Sequence, residues 1–234
     1  TLNPSSAASD VYKRQTWTTV ATLTASDGAK NDYFGRSVAV AGDTIFVGAY
    51  GDDDDGTNSG SVYVFRTTDG GATYDEVETL KASSPKAGAN FGNALAADGD
   101  TLVIGAYSDN SYKGAVYVFR KSGSTYAQVA RLTGSGVASD DEFGTSVDVS
   151  GDTIVVGTEY MGAAFVYRTS DGGATWAAVT TLEGSDDFGQ SVAIDGDTIV
   201  IGASGGDATY VYRTSDGGST CLLYTSPSPR DSDS

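Results

Sequence analysis

The side chains best equipped for chemistry in this 234-residue chain are carboxylates and phenols. Asp and Glu number 31 against 14 Lys and Arg, the net charge is −17, and there is no histidine. Acid and tyrosine gather in short variable stretches. The densest is YGDDDDGTNSG, with Tyr50, Asp52, Asp53, Asp54, Asp55 and Asn58. Others hold Tyr107, Asp109 and Tyr112, then Asp140, Asp141 and Glu142, then Glu159 and Tyr160, with Asp27, Asp32, Asp186, Asp187 and Asp207 further afield. Three kinds of chemistry suit such groups. Carboxylate oxygens can hold a hard cation, and Asp52, Asp54 and Asn58 are the expected calcium ligands. The register of a known calcium loop is nevertheless missing, since Gly51 stands where its first Asp belongs and no Glu closes it. Two carboxylates about 5–10 Å apart can cleave a glycosidic bond, but no pair is singled out. Lastly, an acidic, tyrosine-bearing surface can bind a cationic, carbohydrate or protein partner. For that role we select Tyr50, Asp52, Asp53, Asp54, Asp55, Tyr107, Asp109, Asp140, Asp141 and Tyr160. The competing reading is a solvated acidic rim that keeps the chain soluble.

What positions these residues is an internal repeat. Phe-Gly occurs at Phe34, Phe91, Phe143 and Phe188, and Gly-Asp follows eight residues later each time, at Gly42, Gly99, Gly151 and Gly196. A Thr-Ile/Leu-x-Val/Ile-Gly run comes next, then an aromatic-rich run: SVYVFR, AVYVFR, AAFVYR, ATYVYR. A fourth pattern, Trp/Tyr-x-x-Val-x-x-Leu, fills residues 73–80, 125–132 and 175–182, and also residues 16–23 as TWTTVATL. These read as strands A to D of a repeating unit. The Gly-Asp turn between A and B is a strong hairpin signal, and the nearly continuous apolar character of strand B fits burial on both faces. Four hairpin-linked strands repeated at this spacing describe a blade of a β-propeller. The expected fold is therefore all-β, with four-stranded antiparallel blades in a closed four-bladed ring or in an open arc of a larger ring.

Hairpin connectivity sets a parity. The A–B and C–D turns share one face, here the lower, and the B–C and D–A loops share the upper. The lower face receives Asp43, Asp100, Asp152 and Asp197, with one arginine per unit: Arg66, Arg120, Arg168 and Arg213. Recurrence in every unit marks those arginines as scaffold, paired with turn aspartates or carbonyls. The upper face receives the variable acidic loops, and loops on a constant scaffold are where function usually lies.

The motif FG-x-SVA…GDT-I-V-V-GA…G-x-VYVF resembles the FG-GAP repeat, the blade unit of the integrin α-subunit head and of related surface and secreted proteins. The resemblance runs over all four copies. It implies a propeller of about seven blades in the intact family member, an extracellular or cell-surface setting, and a binding or adhesion role toward a protein or carbohydrate. The integrin-type calcium loop between strands A and B has no counterpart, because that turn is too short here. The turns TTDGGATY (residues 67–74), TSDGGATW (169–176) and TSDGGST (214–220) are similar to the Asp-box of sialidase-like propellers, in which the Asp accepts hydrogen bonds from its own turn; the second copy has KSGSTY. The runner-up is a non-catalytic scaffold propeller of a larger secreted enzyme. Catalysis within the chain itself is not expected, since there is no histidine, P-loop or nucleophile elbow, and the arginines do not fall together.

The acidic balance disfavours nucleic acid, whose phosphates require a basic stripe, and no apolar run approaches the roughly 20 residues of a membrane-spanning helix. The ends read differently from the rest. SSAASDVYKRQ and CLLYTSPSPRD look like translated sequencing-library adapters, so residues 1–15 and 221–234 are expected to lie outside the fold and 16–220 to carry it. On this reading Cys221, the only cysteine, takes no part in disulfide or thiol chemistry.

Overall fold

The computed structural model describes residues 18–184 and 187–214, together with the backbone of the strand Cys221–Tyr224. Four antiparallel sheets follow one another along the chain, each with its strands in sequence order. Blade 1 holds β1 (Ser37–Ala41), β2 (Thr44–Ala49), β3 (Ser61–Arg66) and β4 (Asp75–Leu80). Blade 2 holds β5 (Leu95–Asp98), β6 (Thr101–Ala106), β7 (Ala115–Ser122) and β8 (Thr125–Leu132). Blade 3 holds β9 (Ser146–Ser150), β10 (Thr153–Gly157), β11 (Ala163–Arg168) and β12 (Ala177–Glu183). Blade 4 holds β13 (Phe188–Asp195), β14 (Thr198–Ala203), β15 (Ala208–Thr214) and β16 (Cys221–Tyr224). These are the blades of a four-bladed β-propeller, as the repeat predicts.

The repeated residues earn their places in the core. Each Phe of Phe-Gly meets the two aromatics of its own third strand edge to face: Phe34 with Tyr63 and Phe65, Phe91 with Tyr117 and Phe119, Phe143 with Phe165 and Tyr167, Phe188 with Tyr210 and Tyr212. Such pairs add about 0.5–1.5 kcal/mol beyond area burial. The valines between those aromatics face the next blade, so Val62 and Val64 join one core with Leu102, Ile104 and Phe91. Val116 and Val118 likewise join Ile154, Val156 and Phe143. The glycine near the end of the second strand is a packing device. A Cβ on Gly48, Gly105 or Gly157 would collide with the carbonyl oxygen of Gly92, Gly144 or Gly189, the Phe-Gly glycine of the following blade. Ser37 and Ser146 donate hydrogen bonds to those carbonyls of Gly92 (2.6 Å) and Gly189 (2.8 Å).

Cores join blades 1 and 2, 2 and 3, and 3 and 4, and among the described residues none joins 4 to 1. Val38 and Val40, on the side of β1 turned from blade 2, are 65% and 66% exposed. In β14 burial alternates, with Ile199 and Ile201 buried and Val200 half-buried, whereas β6 is buried throughout. Among the described residues, blades 1 and 4 thus each leave a face that no shared core covers.

Two expectations for strands need correction. Residues 18–25 form no strand, and 16–17 lie outside the described residues; instead Leu23 and Ala25 lie against the end face of blade 1, beside Phe34, Tyr63 and Phe65. The outer edge of blade 4 is taken by Cys221–Tyr224, expected outside the fold, which pairs with Val211–Thr214 of β15. An edge strand with unpaired N–H and C=O groups recruits an extended segment that can reach it. The rest of both adapter-like ends lies outside the described residues. The motif valine of strand D faces outward. Between β3 and β4, β7 and β8, and β11 and β12 the register shifts at one place, leaving Val77, Val129 and Val179 as the extra residues of bulges and exposed.

Candidate functional site

The lower face is uniform. Backbone N–H groups of Thr67, Lys121, Thr169 and Thr214 donate to the carbonyls of Asp43, Asp100, Asp152 and Asp197 and tie each C–D turn to its A–B turn. The four arginines are spent on scaffold contacts. Arg66, Arg120 and Arg213 donate to the strand-B threonines Thr44, Thr101 and Thr198, and Arg168 pairs with Asp152 at 2.7 Å. In the C–D turn of blade 1, the Asp69 carboxylate accepts from the N–H groups of Ala72 and Thr73 and from both threonine hydroxyls, Thr67 and Thr73. Asp171 does the same with Thr169 and Thr175. These bonds, led by Thr73 for Asp69 and Thr175 for Asp171, hold both carboxyls well below the usual range.

The upper face is built differently in each blade. The B–C loop of one blade is clasped to the D–A loop that enters the next: Asn90 N–H donates to Asn58 O, Phe91 N–H to Ser59 O, Glu142 N–H to Tyr112 O and Phe143 N–H to Lys113 O. Among the described residues, every non-glycine residue with positive φ lies in these loops: Asn31, Tyr33, Asn58, Asn90, Asn110, Ser111, Tyr112, Asp140, Glu142, Asp187 and Asp207. The helical turn Asp109–Tyr112 is left-handed over Asn110, Ser111 and Tyr112, with φ of 55°, 60° and 59°. Each such residue costs on the order of 1–2 kcal/mol, a cost found where surrounding structure dictates the backbone.

The selected residues divide into two groups in the structure. Asp52 and Asp109 are not rim residues, because both are buried. Asp109 accepts from Tyr117 Oη (2.8 Å), Lys86 Nζ (2.6 Å) and Arg131 Nη2 (2.7 Å). Burial alone would raise its pKa, but Lys86, Arg131 and Tyr117 outweigh that and hold the carboxyl below its usual range. Asp52 occupies the matching place in blade 1 and accepts from Tyr63 Oη at 2.9 Å; Tyr63 also lies 2.8 Å from Asp27. Burial first, and then these two carboxylates, push the Tyr63 phenol far up. The position of Arg131 is Thr79 in blade 1, so the two loops share an acid–tyrosine contact and differ in its cation.

The others reach the surface. Asp53 accepts from Asn58 N–H at 2.7 Å, while Asp54 and Asp55 share Lys81 at 3.0 and 3.2 Å. Tyr50 stacks parallel on Tyr33, with ring centroids 4.9 Å apart, and Tyr33 is 53% exposed. Tyr107 lies 6.4 Å from Tyr112, which is 48% exposed. Asp140 is exposed, Asp141 accepts from Ala138 N–H at 2.6 Å, and Tyr160 is 66% exposed. Glu142, Glu159 and Asp187 raise the Tyr160 phenol, Glu142 most. Burial, then Glu159 and Asp140, raise Glu142 itself. The three expected calcium ligands each have protein partners. Asp52 points inward to Tyr63, Asp54 is held by Lys81, and Asn58 contributes its N–H to Asp53. Among the described residues no group of three or more acidic, histidine or cysteine side chains is placed to hold a metal ion. Asp186 lies outside the described residues. Sequence reasoning missed Tyr33, whose partner Tyr50 is far off in the chain, and Lys86 with Arg131, which no motif links to Asp109.

A family model described as "FG-GAP repeat" matches residues 17–65, 74–119, 126–175 and 182–220. A comparison with curated proteins found no match. Among solved structures, a protein from Lactobacillus plantarum is similar at TM-score 0.59 and 16% identity, over 81% of this chain and 54% of that one. A putative 6-phosphogluconolactonase from Bacteroides uniformis is similar at TM-score 0.57 and 10% identity, over 82% and 56%. A Trypanosoma rangeli sialidase is similar at TM-score 0.49 and 16% identity, over 81% and 37%. The chain thus spans about half the length, or less, of these structures, and at identities this low the first two speak for the fold alone. Among the described residues no helix is long and apolar enough to cross a membrane.

Proposed function

The chain belongs to the FG-GAP repeat family, and on that footing we propose that it is a binding module, without catalysis of its own, that takes a protein or carbohydrate partner on its upper loop face. The observation that carries this reading is the confinement, among the described residues, of left-handed non-glycine residues to the upper loops. Local strain maintained on one face and avoided on the other is a pointer to function. The same loops present Tyr33, Tyr112 and Tyr160 to solvent among carboxylates, and exposed tyrosines supply contact area at low entropic cost. The charges steer encounter more than they add affinity. We read the setting as extracellular or cell-surface, a reading supported by family membership. Absence of catalysis is supported by the lack of histidine and by arginines engaged one per blade.

The test is biolayer interferometry of the chain against immobilised neutral oligosaccharides and against Lys/Arg-rich peptides. Supporting results are binding to either set that falls at least tenfold in Tyr112→Ala/Tyr160→Ala or in Asp53→Asn/Asp54→Asn/Asp55→Asn, yet persists in the lower-face variant Arg168→Ala. Binding lost equally from both faces, or absent from both sets, overturns the proposal.

A further inference from the structure

Two cations border one recess of the upper face. Asn110, Lys113, Arg131, Thr133, Gly134 and Val137 line a cavity of about 250 Å³, between the B–C loop of blade 2 and the chain that leads from β8 into blade 3. Arg131 is held in place there. Its Nε donates to Tyr117 Oη at 3.3 Å, its Nη2 donates to Asp109 at 2.7 Å, and the guanidinium lies 5.7 Å from the Tyr117 ring centroid. Those bonds leave Nη1 for a ligand. Lys86 also meets Asp109, so this one carboxylate cannot neutralise both cations. Lys113 adds a third, and its Nζ has no ion pair among the described residues. A local surplus of positive charge thus stands on a chain of net charge −17. The neighbouring blades are built without either lining cation. Arg131 lies opposite Tyr117, and the same register holds Thr79 opposite Tyr63 in blade 1 and Thr181 opposite Phe165 in blade 3. Lys113 stands two residues before β7, where blades 1 and 3 have Ser59 and Met161 ahead of β3 and β11. Gly134, by contrast, answers to packing, since a Cβ there would strike Val137, Phe143 and Phe165.

We propose that this recess binds an acidic sugar ring, a hexuronate, through its carboxylate. At close range Lys113 and Arg131 offer charge-assisted hydrogen bonds, roughly twice as strong as neutral ones. The acidic groups elsewhere on the chain are screened beyond about 8 Å in physiological salt. A peptide with several acidic groups would still meet that wider field, whereas a uronate brings one charge. Its hydroxyls suit the Asn110 amide and the Thr133 hydroxyl, and its C–H face suits the half-buried Val137. A recess of about 250 Å³ falls just below the roughly 300 Å³ at which ordinary ligand pockets begin, which is room for one ring. The site shares the upper face with the loops proposed to bind a partner. None of its lining residues is altered in the test of those loops, so the two readings fail separately.

Sodium glucuronate is the probe, titrated into the full chain at constant ionic strength and followed by the Val137 methyl and Gly134 amide resonances. With about 13 heavy atoms at ordinary ligand efficiency, the dissociation constant should be on the order of 1 mM. The shifts should saturate while the Val64 methyls stay still, and glucose, which lacks the carboxylate, should bind at least tenfold more weakly. Lys113→Met and Arg131→Thr install the side chains that blade 3 carries at these places, and each should weaken glucuronate at least fivefold. No saturable shift up to about 20 mM glucuronate overturns the proposal, as does equal binding of glucose. Glutamate blocked at both ends, if it binds as tightly as glucuronate, overturns the choice of a sugar. Unchanged affinity in folded Lys113→Met also overturns it, and that arm decides alone should Arg131→Thr not fold.

Discussion

Replacing Asp109 with alanine separates a structural clamp from a binding residue. The carboxylate is wholly buried and accepts three hydrogen bonds, two of them from cations. Its loss leaves the buried Tyr117 hydroxyl without its acceptor, at a cost of about 1–3 kcal/mol. Lys86 and Arg131 are 48% and 36% exposed, so both can turn to water, and each lost ion pair costs only about 0.5–1 kcal/mol. The expected total is about 2–5 kcal/mol, which for a domain of this size lowers Tm by roughly 4–20 °C. Tyr117→Phe, which removes only the phenol, should cost about 1 kcal/mol. The pH dependence carries a sign. The Asp109 pKa is lowered in the folded state, so its contribution is fully present above the usual carboxylate range and fades as pH falls through the depressed value. Asp109→Ala should therefore flatten the acid side of the stability profile. Urea denaturation from pH 7 downward reads all three effects. A loss below about 0.5 kcal/mol with an unchanged acid limb would refute the clamp, and partner binding lost without loss of stability would return Asp109 to the binding surface.

Two further perturbations test the packing and the acid loops. Gly157→Ala sets a methyl against the Gly189 carbonyl and should cost at least about 2 kcal/mol by calorimetry, against about 1 kcal/mol for Gly151→Ala, where φ is +56° and the space is open; equal effects would show that blade contact does not require the glycine. Glu142→Gln should raise Tm at pH 7, because burial and the neighbouring Glu159 and Asp140 raise this carboxyl and make its ionised form costly. That gain should be absent below the usual carboxylate range and appear as pH rises through it; a Tm that falls at pH 7 would contradict the sign.

The repeat made the blades legible because each of its residues has a packing reason that recurs. Phe-Gly supplies a ring for the aromatics of the third strand, and the glycines of neighbouring blades touch. Alternation in SVYVFR gives aromatics to the preceding side and valines to the following one. What failed to show was local competition. TWTTVATL has the pattern of an outer strand, yet pattern alone cannot say which edge is free, and blade 4 pairs with Cys221–Tyr224. The spacing of three in Trp/Tyr-x-x-Val-x-x-Leu does not fit a period of two, and the bulge at the valine lets the aromatic and the leucine pack while the valine stays outside. In the acidic loops composition was visible and direction was not. Asp52 and Asp53 are adjacent and identical, but one turns to Tyr63 and the other caps Asn58.

That last contrast explains how the upper loops can vary without loss of the scaffold. Each loop needs one inward anchor, an acid on a third-strand tyrosine in blades 1 and 2, and a backbone clasp to the next blade. In blade 3 the shorter loop is held instead by Thr158, fully buried directly after the strand-B glycine, whose hydroxyl donates to the Ala163 carbonyl and accepts from its N–H. The Tyr167 phenol, pushed up to about 12 by burial, donates instead to Thr133 O at 3.0 Å. The anchor changes chemistry from blade to blade and the clasp does not. Backbone bonds impose no side-chain identity, so once they fix the loop the outward residues are released from structural duty. Left-handed conformations persist at Asn110, Ser111 and Tyr112 because the turn is held at both ends, by buried Asp109 and by the Phe143–Lys113 bond. A surface of this kind can change what it presents at little cost in stability, which is the property a recognition face requires and a solvated rim does not.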